Sequence, residues 1–216
     1  MINIISTIIP IGISIIAIIL TLIQISLSNK QALLDRRIYA YIKFKGLYEL
    51  WERYGEQFFD YDRDEVFWCN RIAFVWLTNN GFLYGITSVI ETLMEDDGIH
   101  KKFLLKLEEL EILNEEISFI FKNKNKVTVS LFVKKYCELL RIMTQYQDCI
   151  NKAQKLTNDF PNEEPEEVLK TVKEEERRKE LFAKYEEVNK EFMKIRKGNL
   201  LKKMKHEINL HLNIYF

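Results

Sequence analysis

The first 29 residues carry no charged side chain, and residues 4–27 form an almost unbroken apolar run with twelve Ile and three Leu. As a helix, such a run extends ~36 Å, enough for a ~30 Å hydrocarbon core. Isoleucine favours a strand in water. In lipid, however, a lone strand leaves its backbone groups unpaired, so the pattern predicts a transmembrane helix. Ile4, Ile8, Ile11, Ile15, Ile19, Leu22 and Ile25 are the expected anchor positions. Pro10 falls in the first turns, where little of the hydrogen-bond ladder is lost. A cleaved signal peptide fits less well: no Lys or Arg precedes the run, the run is too long, and no A-x-A-like site follows.

Apart from Gly12, no Gly or Pro lies between Pro10 and Gly46. The anchor is therefore expected to continue as one helix to about Gly55, with Leu34, Ile38, Tyr41, Ile42, Lys45 and Tyr48 at helical spacing. Asp60, Asp62 and Asp64 mark a polar break, where Asp62 or Asp64 can cap a new helix. Residues 72–90 then run without charge and rival the first segment as a membrane span. Asn79, Asn80 and Gly81 stand at their centre, where polar amides are costly in lipid, so a buried helix kinked or broken there is the better reading. Two stripes at spacings of three and four follow. Phe103, Leu107, Leu110, Leu113, Ile117 and Ile120 form one; Val129, Phe132, Tyr136, Leu139, Met143, Tyr146, Ile150 and Ala153 form the other. The short polar stretch 122–126 between them implies antiparallel neighbours. Residues 157–165 read as a linker, and a long charged helix with Glu-to-Lys or Glu-to-Arg pairs four apart is expected over residues 166–197. Its second half carries the stripe Leu181, Tyr185, Val188, Phe192 and Ile195, which needs a cover: the bundle, a second copy or another protein. Gly198-Asn199 breaks it, and a last amphipathic piece follows.

The expected fold class is all-α: a single N-terminal transmembrane helix continuing into a cytoplasmic antiparallel helical bundle, with a long charged C-terminal helix. The division is 1–29 anchor, 30–158 bundle, and 159–216 charged helix with a basic amphipathic end. Sparse Gly (7) and Pro (3) agree with this class. Lys30, Arg36, Arg37, Lys43 and Lys45 follow the apolar run against only Asp35, which places the C-terminal side in the cytoplasm and the N-terminus outside.

The 32 basic and 32 acidic residues balance, which argues against nucleic acid as a partner. Cys69, Cys137 and Cys149 form no CxxC pair and read as reduced core thiols. His206, Glu207 and His211 resemble HExxH only loosely, because a spacing of five sets the imidazoles about 140° apart on a helix. The acidic cluster at 60–65 lacks the glycine of a calcium loop, and there is no phosphate loop or GxSxG. No catalytic residue, metal site, cofactor or small-molecule substrate is expected. One charge feature stands out: Lys194, Arg196, Lys197, Lys202, Lys203 and Lys205 are six cations within twelve residues, with no acid between them. They are candidate lipid-headgroup contacts, or else a solvated helix end. The expected function is a membrane-tethered interaction or scaffold module without catalysis, docking a protein partner or itself. The alternative is a toxin-like or abortive-infection effector whose anchor perturbs the bilayer.

Overall fold

The computed structural model describes residues 2–58, 63–92, 97–122, 126–162 and 164–212, with side chains except at 2–11, 63, 64, 211 and 212. Among them every regular element is helical, and no strand occurs. Helix α1, Ile2–Tyr54, runs 53 residues without a break. Its character changes along its length. Ile13, Ile16, Ile19, Leu22, Ile25 and Leu33 are exposed, whereas Leu34, Ala40, Phe44, Leu47 and Trp51 are buried. The first half is long and apolar enough to cross a membrane, while the second half belongs to the core.

A 3-10 turn, Gly55–Phe58, ends α1. A Cβ on Gly55 would stand 2.5 Å from the Trp51 ring, so glycine lets that buried indole lie against the turn. Asp60 and Asp62 lie outside the described residues, and α2 spans Arg63–Thr78. Asn80 then stops the chain: its Oδ1 accepts the N–H groups of Phe82 and Leu83 at 2.9 and 2.8 Å. A 3-10 segment, Tyr84–Ile90, follows. The uncharged run 72–90 is thus broken at its Asn-Asn-Gly, and Phe74, Leu77, Leu83, Ile86 and Val89 lie in the core.

Helix α3, Asp97–Ile120, buries all six residues of its expected stripe. Helix α4, Lys126–Asp159, buries all eight of its own and packs against α2, α3, the 3-10 segment and the two helices that follow. The Tyr136 hydroxyl, fully enclosed, donates to Leu77 O at 2.6 Å. Asn70 Nδ2 donates to Met143 O and Gln147 Oε1, each at 3.1 Å, tying α2 to α4 through polar groups inside the core.

The charged helix expected over residues 166–197 is two helices. Helix α5, Pro165–Thr171, and helix α6, Glu174–Gly198, are separated by Val172 and Lys173, with Lys173 in the left-handed region at φ 58°. No Gly or Pro marks this break. Tertiary contacts hold it: Val168 and Glu174 are buried, Glu174 accepts the Tyr146 hydroxyl at 2.7 Å, and Cys149 Sγ donates to Val172 O at 3.3 Å. Of the expected pairs, Glu174–Arg178 (3.4 Å) and Glu175–Lys179 (2.8 Å) form along the helix. Lys184 instead joins Glu138 (3.0 Å) and Glu187 (2.9 Å), while Lys135 joins Glu187 at 2.9 Å. Lys135 and Lys184 pull the Glu187 carboxyl below its ordinary range. Asn199, at φ 52°, turns the chain after Gly198 into α7, Leu200–Leu212, as residues tolerant of the left-handed region do.

Candidate membrane-facing site

Among the described side chains of the apolar half of α1, residues 13–33 are all exposed. Ile15, Ile19, Leu22 and Ile25 are exposed as the anchor reading requires, whereas the side chains of Ile4, Ile8 and Ile11 lie outside the described residues. Thr21 returns its hydroxyl to Ala17 O at 2.8 Å, which satisfies it without water. Lys30 and Arg36 follow on the exposed surface.

Arg37 does not behave as a flanking cation. It is 1% exposed. Its Nε donates to Ile120 O at 2.6 Å, capping the end of α3, and its Nη2 stands 3.5 Å from Glu207 Oε1 on α7. Glu207 also accepts the Lys122 N–H at 2.9 Å. One buried guanidinium therefore gathers α1, the end of α3 and α7 at the level where α1 enters the core. This Glu207 is the glutamate of the HExxH-like stretch, and it serves the clamp. The His211 side chain lies outside the described residues, and among those described no cluster of His, Cys, Asp and Glu could hold a metal ion. Lys43 is likewise drawn in, lying over the Tyr39 and Phe82 rings at 4.1 and 4.3 Å and 3.9 Å from Glu109.

The six cations of the C-terminal segment all lie on exposed surface, but they are not equivalent. Lys194 is held by Glu191 at 2.5 Å, and Arg196 lies 3.6 Å from Glu56. Lys202 and Lys203 border a shallow depression with Lys122, His206 and Leu210. The apolar side of the same segment, Leu200, Met204 and Ile208, is buried in the core beside α1.

Leu181, Tyr185, Val188, Phe192 and Ile195 are all buried in the chain's own core. Tyr185 meets Trp51 and Phe58, and Phe192 meets Tyr48, with ring centroids 6.0, 5.6 and 4.9 Å apart. Of the covers left open for this stripe, the structure supplies the chain itself.

At the opposite end, Phe67, Trp68, Ala153, Thr157, Pro165 and Val168 line an open, mostly apolar groove, with Trp68 71% exposed. Trp76 stacks on Tyr54 at 5.3 Å, and Trp68 lies two turns earlier in α2. The groove is thus on the order of 50 Å along the α1 direction from Leu27. Sequence periodicity missed Arg37, Lys122, Phe119 and Trp68. For Arg37, Phe119 and Trp68 the available signal was an aromatic or a charge standing off its helix's apolar stripe; Lys122, beyond the end of α3, offered none.

Compared with known protein families, curated proteins and solved structures, the chain matches none of them.

Proposed function

We propose that this chain is a single-pass, membrane-tethered helical scaffold without catalytic activity, with the N-terminus outside and the packed helices in the cytoplasm. We also infer that those helices form an antiparallel bundle. The order of partners supports it: Lys135 meets Glu187 while Lys184 meets Glu138. The observation that carries the reading is the unbroken α1, apolar and exposed in its first half and core-forming in its second. Exposed Lys30 and Arg36 support the orientation, although Arg37 contributes nothing to it. With the α6 stripe covered, the far groove around Trp68 is the better place for a cytoplasmic protein partner. Exposed aromatics in a concave, partly apolar surface make effective anchors for association.

Alkaline extraction and protease protection in sealed vesicles test the tether and its orientation. Crosslinking the full chain in its membrane, with and without Trp68→Ala, tests docking. A membrane-retained chain whose crosslinked species depends on Trp68 is the expected result. Extraction at high pH, or a chain that crosslinks to nothing, overturns the reading. Depolarisation on expression would point instead to the effector alternative.

A further inference from the structure

Resting on the tethered reading, we propose that the end of the helical domain nearest the anchor docks on the anionic phospholipid surface of the same bilayer. Lys122, Lys202 and Lys203 pair with headgroup phosphates, and Phe119 and Val127 enter the interface. These three lysines come from sequence positions eighty apart yet border one depression. Its carboxylate, Glu207, is already engaged by Arg37 and by the Lys122 N–H. On either side of Lys122 in the sequence, Phe119 is 81% and Val127 64% exposed. A large aromatic and a β-branched residue beside lysines is the composition of an interfacial contact, with apolar groups in the boundary and cations on the phosphates.

The height fits as well. Ile120 O and Glu207 are both held by Arg37, ten residues past Leu27 on an unbroken helix. That places them ~15 Å from the hydrocarbon edge. The headgroup layer occupies ~5–8 Å of that gap. The remainder lies within a lysine stem and a Debye length of ~8 Å. Asp35 and Glu115 are exposed and Glu116 half-buried on α1 and α3 near this end, and their charge opposes the approach. The attraction is therefore concentrated on the side where α7 meets Lys122. The tether raises the local lipid concentration, so weak contacts suffice.

The test uses the full chain in nanodiscs of phosphatidylcholine, alone or with one third phosphatidylglycerol. Cys69→Ser removes the most accessible native thiol. A fluorophore is attached through Ser118→Cys, next to Phe119, or through Asn158→Cys at the far end, and read with a headgroup-nitroxide quencher. Expected is quenching at 118 at least two-fold that at 158 in phosphatidylglycerol discs. The variant K122Q/K202Q/K203Q returns it to the far-end level, since each cation contributes about five-fold in partitioning. Circular dichroism checks that the variant keeps its helicity. Equal quenching at 118 and 158, or quenching at 118 that ignores both lipid charge and the three lysines, overturns the proposal. A label through Ile23→Cys, read with an acyl-chain quencher, reports the tether separately. If 23 is quenched and 118 is not, only the docking fails. If 23 is not quenched, the tether fails and the docking with it.

Discussion

Replacing Arg37 with methionine keeps the stem of the side chain and removes its charge and donors. Three consequences follow from the geometry. Ile120 O loses its 2.6 Å donor at the end of α3, Glu207 loses its guanidinium partner at 3.5 Å, and α7 loses its polar tie to α1. Breaking a buried pair by removing one partner costs about 3–5 kcal/mol when the other charge is left enclosed. Here Glu207 is 15% exposed at its side chain and keeps the Lys122 N–H, so part of that cost is relieved by water. A loss of about 2–4 kcal/mol is expected, which lowers Tm by roughly 5–15 °C for a domain of this size. The assay is thermal and urea unfolding of the full chain in mild micelles, followed at 222 nm, with amide hydrogen exchange to locate the damage. Exchange should rise first in α7 and in the last turn of α3. The pair R37M/E207L should recover at least half of the loss, because it no longer leaves a carboxylate behind. A Tm change under about 2 °C in R37M, or exchange that rises first in α2, would refute the clamp.

Other outcomes follow from the same contacts. Gly55→Ala should destabilise by about 1–3 kcal/mol in the same unfolding assay, because its Cβ would stand 2.5 Å from a fully buried Trp51 ring that has little room to shift. Tyr136→Phe should lose about 1–2 kcal/mol by orphaning Leu77 O, and an unchanged urea midpoint would contradict that bond. Lys173→Gly should raise Tm by a few degrees, since φ 58° suits glycine; a drop would mean that the Lys173 side chain supports the α5–α6 break. Burial pushes the Cys137 thiol up to about 12 from an ordinary value of 9.0. It should therefore resist alkylation at pH 8 in the native state, and its contribution to stability, complete below pH 9, should fade as pH rises through 12; rapid native labelling at position 137 would overturn this.

Much of the helical plan could be read from local rhythm. The stripes of α3 and α4 are buried to the last predicted residue, and the absence of Gly and Pro foretold the length of α1. Periodicity works there because each buried side chain lies three or four residues from the next on one surface. It fails where the decisive partner is distant. Arg37 looks like a flanking cation until Ile120 O, 83 residues away, accepts its N–H. Glu174 looks like a surface acid inside one long charged helix until Tyr146 reaches it from α4, and the break before it carries no local signature. The candidate site was half legible. Lys202 and Lys203 stood out as a charge cluster, but Lys122 joins them only through the fold. The Leu181–Ile195 stripe announced burial but not by what, because a seam of apolar residues carries no address.

An unbroken α1 also makes the domain a pointer. In the proposed tether, an apolar run of ~36 Å would exceed a ~30 Å hydrocarbon core, and a rigid rod accommodates such excess by inclining. Because the same rod forms the core through Trp51, inclination of that tether would become displacement of the far groove. Over an arm on the order of 50 Å, each further 10° sweeps the groove by about 9 Å. Bilayer thickness would thus be converted into lateral reach, without any hinge in the protein.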